Sequence, residues 1–505
     1  MQKKLSKRYV HLLGIVVLGL GLVHCATPSS YEPATIRRDF AAPPQTMGIP
    51  QADEDSPAPA AALPTGQTPQ GPLTLSRAIE LALAHNPDLQ MAQARIQSAQ
   101  ARLEGSAAPY YPRVSVYTEY MRGDAPSAYL VKTIDQRQLP PDTNFNDPGS
   151  FGNWESGLTA NWNLYNGGRD RLGRQTAASS ETAAHLDRHS VENRMTAVVI
   201  QAFYDTRAAR EFIKTAQASV ATVQSQLKVM NVRFAGGGAL KSDILSLEVR
   251  LAQAREELVR SRNQYRIAQA ALANALGIEP DPPLELADDP SSGQSPSHSA
   301  KLPADLADGL AHAVIHRPEL AKVAEQLRQT RISLDGARSG YLPRVDLTAK
   351  YYLDDPDLSY DLDRDNWFAA LFLNWDLFTG FSTRSDTAGA TAAIQEVLAA
   401  ERKALLEIKF DVQRAYLNLE AAEERLKVAL SAVDKAEESL DLVKKQYEGG
   451  SATVTRYLEA ELDRNHARIR AIAARYDREK TRAEIGRAIG YWRPPAQPQK
   501  DTPQP

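Results

Sequence analysis

"HNPDLQMAQARIQSAQARLEGSAAPYYPRV" occupies residues 85–114, and "HRPELAKVAEQLRQTRISLDGARSGYLPRV" repeats its pattern at residues 316–345. The two stretches align without a gap, so that Pro87 corresponds to Pro318. In each stretch a proline opens a helical pattern, which then gives way to the alternating pattern of a strand. The sequence therefore predicts that one helix-then-strand unit occurs twice.

The duplication extends well beyond this opening match. From Trp154 onward the two copies are 213 residues apart instead of 231, so the first copy holds an excess of 18 residues between Tyr120 and Trp154. Each copy is predicted to contain a helix, a strand, a loop, a strand, a very long helix, a glycine-containing turn and a helix. A repeat of this length indicates a duplicated half-domain and not a solenoid unit.

Composition marks the segments between the copies. Short linkers rich in Pro, Ala, Ser and Gln cannot bury enough apolar surface to fold. The predicted organisation is a signal peptide (1–25), a disordered linker (26–71), the first repeat (72–278), a connector (279–303), the second repeat (304–492) and a disordered tail (493–505).

The N-terminus has the pattern of an export signal, a basic stretch followed by about a dozen apolar residues. Cys25, the only cysteine, follows that apolar stretch directly, and Leu22-Val23-His24-Cys25 resembles a bacterial lipobox. The sequence predicts that Cys25 is lipidated. His24 departs from the small residue of that motif, which leaves an ordinary secretory signal as the alternative.

Composition and motifs exclude several function classes. The net charge is −3, and no basic surface for nucleic acid is evident. The nine histidines are scattered without metal-ligand spacing, and no nucleophile motif occurs. The stretch "AGGGALKSD" (235–243) has no preceding strand, so we do not interpret it as a phosphate loop. We expect no catalytic residue, no metal, no cofactor and no enzyme activity.

The predicted strands have one apolar and one polar face. In "WESGLTANWNLY" (154–165) and "WFAALFLNWDLF" (367–378), apolar residues alternate with polar ones. If the strands lie in a membrane barrel, the polar side lines a lumen. The residues predicted to face this lumen are Asn161, Asn163, Asp346, Lys350 and Asp376.

Tryptophans mark the ends of the apolar faces. Trp154 and Trp162 are eight residues apart, as are Trp367 and Trp375. Eight tilted strand residues span a height of about 20 Å, so the four tryptophans are predicted to form aromatic belts at two membrane interfaces. A soluble sandwich with buried tryptophans is the alternative.

The helices favour the membrane interpretation. Apolar residues recur every seven residues from Leu405 to Tyr447, and the first copy keeps the same register. Such a repeat imposes left-handed supercoiling, and the helix near 175–233 is predicted to be about 90 Å long. A plain dimeric coiled coil would leave the strands unexplained. Four strands cannot close a barrel, so three chains are expected to pool twelve.

These features together resemble the TolC-type outer-membrane efflux channel family, with the lipobox resembling its lipoprotein branch. The residues that carry the resemblance are Asn86-Pro87-Asp88-Leu89, "WNLYNGGR" with its echo "WDLFTGF", and the turns before "SDILSLE" and "TRYLEAEL". The resemblance covers about residues 72–492. It implies a mixed α/β homotrimer with a 12-stranded transmembrane β-barrel, continued by an antiparallel α-helical coiled-coil tunnel in the periplasm.

The resemblance also implies a function and partners. The chain is expected to act as a passive exit duct in the bacterial outer membrane, in contact with its lipid. It would work with a periplasmic adaptor (membrane fusion) protein and an inner-membrane transporter. The alternative is a structural lipoprotein scaffold without a pore, which would not need polar strand faces.

The family's periplasmic gate is expected at the two helix tips. By resemblance it falls on Asp243, Tyr447 and Glu459, whereas Arg456 stands where the family has an acidic residue. We expect Arg456 to pair with Asp243 or with Glu459 of a neighbouring subunit. Otherwise these are exposed tip charges that contribute less than about 1 kcal/mol each.

Overall fold

The computed structural model describes residues 71–279, 284–287, 302–359 and 362–492. The helices and strands of the first copy are α1 (Leu75–His85), α2 (Pro87–Gly105), β1 (Arg113–Gly123), α3 (Pro126–Asp135), β2 (Phe151–Asn166), α4 (Arg169–Ala235) and α5 (Lys241–Leu276). Those of the second copy are α6 (Leu306–His316), α7 (Pro318–Arg338), β3 (Arg344–Asp355), β4 (Asp365–Asn374), α8 (Ser382–Glu448) and α9 (Val454–Ala488). Apart from α3, the same elements occur in the same order twice.

Several predicted segments lie outside the described residues. They are the signal segment with Cys25, the linker up to residue 70, most of the connector and the tail from residue 493. The predictions for these segments therefore remain predictions.

Two predicted elements differ in the structure. The sequence predicts a loop for the excess residues of the first copy, whereas ten of them form α3. The strand predicted over residues 367–378 ends at Asn374. Trp375 and Asp376 therefore lie in the connection to α8, which turns through left-handed backbone at Gly380 (φ 62°) and Phe381 (φ 68°). Asn374 pairs with Arg344, the first residue of β3, so β3 offers no partner beyond Asn374 in the described chain. Asp376 therefore lies beyond the end of β4, and its predicted place toward a lumen remains a prediction.

The long helices follow the predicted heptads. α4 and α8 each contain 67 residues, which is about 100 Å of helix. The apolar seam of α8 is buried, with Val412 and Ala422 at 0% exposure. α5 and α9 return alongside α4 and α8, so that each copy forms an antiparallel helix pair.

The two copies use the same tie between their short and long helices. Asn86, between α1 and α2, donates its side-chain amide to the carbonyl of Ala275 at 2.9 Å. Its counterpart Arg317 donates to the carbonyl of Ala488 at 3.0 Å. In the first copy Gly277 has φ 73°, and an added Cβ there would meet the His85 carbonyl oxygen at 2.7 Å. Only glycine permits this approach of the α5 end to the α1–α2 junction.

The four strands form one antiparallel sheet in the order β1-β2-β3-β4. β2 and β3 bring the two copies together, and a bulge interrupts their pairing between Asn163 and Tyr165. Among the described residues, β1 and β4 each pair on one side only. The sheet therefore has two open edges.

Candidate functional site: a two-faced sheet and the helix tips

The sheet has a polar face whose side chains are bonded across strands. The amide of Asn163 donates to the Asp346 carboxylate at 2.7 Å. The hydroxyl of Thr348 donates to the side-chain oxygen of Asn161 at 2.9 Å. Lys350 follows Thr348 by two positions and shares its face. Four of the five predicted lumen residues therefore lie on one face, and Asp376 lies beyond the end of β4.

The opposite face is apolar and uncovered in the single chain. Leu158 is 47% exposed, Leu371 is 64% exposed and Trp367 is 75% exposed. Three of the four predicted belt residues lie in strands on this face: Trp154, Trp162 and Trp367. An apolar face of this size indicates contact with lipid or with another protein surface.

Trp375, the fourth predicted belt residue, lies just after β4. Its indole nitrogen donates to the carbonyl of Tyr341 at 3.0 Å, while the side chain remains 56% exposed. The bond ties the end of the β3–β4 hairpin to the turn that precedes β3. The residue thus stays at the end of the sheet nearest the helices, although it is not part of a strand.

The other end of the sheet carries a buried ionic cluster. The Glu155 carboxylate accepts bonds from Lys132 of α3, from Lys350 and from the Tyr117 hydroxyl. Lys132 also contacts Asp354 at 3.0 Å, and Asp354 is fully buried. This cluster was not predicted from the sequence, because the β2–β3 register decides which charges meet. The excess of residues before β2 was its one sign in the sequence.

At the tips, Tyr447 packs inside its own chain. Its ring stacks on Tyr457 with centroids 5.5 Å apart, and the Arg233 guanidinium lies 5.3 Å from the ring. Tyr447 is only 8% exposed. Apolar side chains of α4, α5, α8 and α9 surround this pair and hold the two turns together.

The other predicted gate residues make local contacts in the single chain. Asp243 accepts the backbone N–H of Leu240 at 3.3 Å, which caps α5. Across the described residues, Arg456 forms its ion pair with Glu459 of the same helix, at 3.4 Å, and not with Asp243. Both side chains of that pair are more than half exposed. They are therefore available to a neighbouring subunit.

A buried carboxylate lies one turn from the tip cluster. Glu461 is 0% exposed, and neither of its carboxylate oxygens has a hydrogen-bond partner among the described residues. Burial raises the pKa of Glu461, against the smaller opposing effects of the Arg464 and Arg250 charges and of the nearby Asn465 amide. The amide of Asn465 donates to Ser219 at 3.2 Å. The sequence held a signal for this site, because Glu461 and Asn465 are polar residues on the buried stripe of α9.

The described part of the chain contains no group of three or more His, Cys, Asp or Glu residues placed to hold a metal ion. None of its helices combines the length and apolar character that a membrane span requires.

Comparison with solved structures gives the fold. The outer-membrane channel OprN matches with a TM-score of 0.68 at 21% identity, over 83% of this chain and 91% of that one. The Campylobacter jejuni CmeC outer membrane channel matches with a TM-score of 0.71 at 14% identity, over 90% and 95%. The predicted fold class, a helical tunnel joined to strands of a barrel, is confirmed.

Comparison of sequences gives the family. Protein CyaE of Bordetella pertussis is 27% identical over 403 residues, which is 79% of this chain and 80% of CyaE. The pyoverdine export outer membrane protein OpmQ of Pseudomonas aeruginosa is 23% identical over 418 residues, or 82% and 85% of the two chains. The family model described as "Outer membrane efflux protein" matches residues 78–278 and 310–491. The resemblance drawn from the sequence is confirmed, and the chain belongs to the outer membrane efflux protein family.

Proposed function

We propose that three copies of the chain assemble so that their sheets close into one 12-stranded barrel in the outer membrane. The observation that carries this proposal is a sheet with one bonded polar face, one exposed apolar face and two open edges. Open edges are excluded in lipid, because each unpaired backbone group there costs several kcal/mol. Joining β4 of one subunit to β1 of the next removes every edge.

The function that follows is an exit duct of the outer membrane, and the chain is not an enzyme. This is the role of the family to which the chain belongs. The names of the relatives cover pyoverdine export, solvent efflux and alkaline protease secretion. What these proteins share is the duct and not the cargo. As partners we propose a periplasmic adaptor and an inner-membrane transporter, because a passive duct needs an external source of energy.

We propose further that residues 72–278 and 304–492 form the two repeats, and that lipid on Cys25 adds a second anchor. The mature chain would then begin at Cys25, with the linker between lipid and barrel. Cys25→Ser should abolish incorporation of labelled palmitate while the barrel still inserts, because its apolar face anchors it independently. Absence of label on the wild type would support the ordinary secretory signal instead.

The gate is proposed at the helix tips, with Asp243, Tyr447, Arg456 and Glu459 as its residues. Support comes from their position in the helix ends beside the two turns and from the exposure of the Arg456–Glu459 pair. Because Asp243 also caps α5, two variants are needed to separate its roles. Asp243→Asn removes the charge but keeps an acceptor for the cap, whereas Asp243→Ala removes both.

Conductance in planar bilayers tests the duct and its gate together. Purified protein should run as a trimer of about three times 55.4 kDa, before signal removal. Asp243→Asn combined with Tyr447→Phe should raise the open probability of single channels, because a lost contact of about 1 kcal/mol per subunit changes a trimer's closed-to-open ratio roughly a hundredfold. Glu256→Ala, an exposed carboxylate of the same helix, is the matched control and should not.

The outcomes separate the hypotheses. A monodisperse monomer with its full strand content would refute the barrel. A trimer without conductance, even in the double variant, would favour the scaffold. A conducting trimer in which only Asp243→Ala opens the channel would show that the cap of α5 matters and the charge does not.

A further inference from the structure

The helix α3 lies across the polar face of the sheet at the end farthest from the long helices. Lys132 contacts Asp354 of β3 at 3.0 Å. The amide of Gln136, the residue that ends α3, donates to Asn153 of β2 at 2.7 Å. The side-chain amide of Asn366 in β4 donates to the carbonyl of Asp135 at 3.2 Å. One helix therefore spans three strands.

Burial shows that this contact is close. Gln136 is 3% exposed and Asn153 is 1% exposed, although both are polar. The side of α3 that faces away from the sheet carries Val131 and Ile134, which are 56% and 49% exposed. The helix thus presents charged and amide groups to the sheet and an apolar surface to the space beyond it.

This arrangement has a consequence if the proposed barrel forms, on which the inference rests. The polar face then lines the lumen, so α3 lies inside the barrel and its Val131 side faces the axis. Eight strands enclose only their own side chains, and twelve leave a lumen. Three helices, each about 10 Å across with side chains, would fill most of that lumen.

We propose that α3 is a lid on the external mouth of the duct, which limits the size of the solutes that leave. Lys132 is its latch, because this one ammonium group contacts both Glu155 and Asp354. Val131 and Ile134 from three subunits form an apolar collar around the remaining opening. In the second copy, the described residues of the β3–β4 connection contain only a three-residue 3-10 helix, Leu362–Arg364, so each subunit supplies one lid.

The structure permits removal of the lid without disturbing strand pairing. Gly123 and Phe151 are cross-strand partners at the end of the β1–β2 hairpin. Residues 124–150 can therefore be replaced by Asn-Gly, the preferred two-residue hairpin turn. As a second variant, Lys132→Glu keeps the full length of the lid and reverses the charge of the latch. Lys132→Arg, which retains the charge, is its matched control.

Access from outside the cell measures the lid directly. A cysteine is introduced as Asn161→Cys, on the polar face about 20 Å below the ionic cluster at 3.3 Å per residue. A second protein carries Asp357→Cys in the exposed β3–β4 connection. Intact cells receive a small impermeant maleimide or a bulky polyethylene-glycol maleimide. Unmutated protein reports any labelling of Cys25.

With the lid in place, we expect the small reagent to label Asn161→Cys and the bulky reagent to fail. Replacement of 124–150 should admit the bulky reagent. Lys132→Glu should raise the rate at which the bulky reagent labels Asn161→Cys by at least about tenfold, the factor that corresponds to 1.4 kcal/mol in the opening equilibrium of the lid. Lys132→Arg should behave as the parent, and Asp357→Cys should label equally in every background.

Three results would overturn the inference in distinguishable ways. Equal access of the bulky reagent to Asn161→Cys with and without residues 124–150 would refute the lid and leave the duct intact. Opening by the replacement but not by Lys132→Glu would refute the latch. No labelling of Asn161→Cys in any background, with Asp357→Cys labelled, would refute the outward-facing lumen and with it the proposed barrel.

Discussion

Two residues at the junction of α6 and α7 should respond very differently to substitution. Arg317 is 8% exposed, and its guanidinium donates to the Ala488 carbonyl and contacts Asp411 at 3.4 Å. Asp411 also accepts a bond from Arg487 at 2.8 Å. Burial raises the pKa of Asp411, but the bond and charge of Arg487 and the charges of Arg317 and Arg414 outweigh it, so the pKa is lowered.

The first copy shows how the same junction is built without ions. Asn86 accepts the Asp88 backbone N–H at 2.8 Å, which caps α2, and donates to Ala275. Arg317 is the N-cap residue of α7 but makes no side-chain cap bond. We therefore expect Arg317→Asn to gain a cap of about 0.5–2 kcal/mol. The substitution loses the 3.4 Å ion pair with Asp411 and the 2.9 Å ion pair with the partly exposed Glu319. The net change in stability should be within about 1 kcal/mol of zero.

Asp411→Ala should be far more damaging. It leaves the buried Arg317 guanidinium with only its bonds to Ala488 and to Glu319, the latter at 2.9 Å. Removal of one partner from a buried ion pair costs about 3–5 kcal/mol, and the partial exposure of Glu319 reduces this to about 2–4 kcal/mol. In the double variant no buried guanidinium remains at position 317. It should therefore be more stable than Asp411→Ala alone.

Thermal unfolding of detergent-solubilised protein, followed by helical circular dichroism, measures all four proteins. Wild type and Arg317→Asn should unfold at similar temperatures, Asp411→Ala well below, and the double variant in between. Trp492, which follows α9 and donates to the Ala483 carbonyl at 3.1 Å, offers a local fluorescence signal. If Arg317→Asn is as damaging as Asp411→Ala, the ion pair stabilises the junction and our reasoning is wrong. If the two effects simply add, the damage in Asp411→Ala does not come from the unpaired Arg317 guanidinium, which also contradicts our reasoning.

Three further predictions use the same physics. Because burial raises the pKa of Glu461, the folded state loses stability as pH rises through that pKa. Glu461→Gln should therefore stabilise the folded state by on the order of 1 kcal/mol at pH 8 and by much less near pH 4. The pKa of Asp411 is lowered, so its charged form stabilises the folded state and this stabilisation is lost as pH falls. The difference in unfolding free energy between wild type and Asp411→Asn should therefore shrink below about pH 5. Leu158→Arg should cost about 2–4 kcal/mol of barrel stability near the bilayer midplane and Thr159→Arg far less, measured by urea unfolding from liposomes; equal costs would mean that the strands do not lie in a bilayer.

Local patterns in the sequence determined most of the architecture. The heptads of α4 and α8, the alternation of β2 and the gap-free match of the opening helices predicted the duplicated fold, because these periodicities depend only on neighbouring residues. The polar-face residues Asn161, Asn163, Asp346 and Lys350 followed from parity along single strands. Parity does not show where a strand ends, so it did not predict that β4 ends at Asn374, before Asp376.

What only the tertiary structure decided are the contacts that join distant segments. The sequence showed how many excess residues the first copy has. It did not show that they form α3, or that Lys132 contacts Glu155 and Asp354, of which Asp354 lies 222 residues away. Burial of Glu461 likewise depends on three helices packing around one position. The sequence shows which residues are polar, whereas the register between strands and the packing between helices decide which of them meet and which are left without a partner.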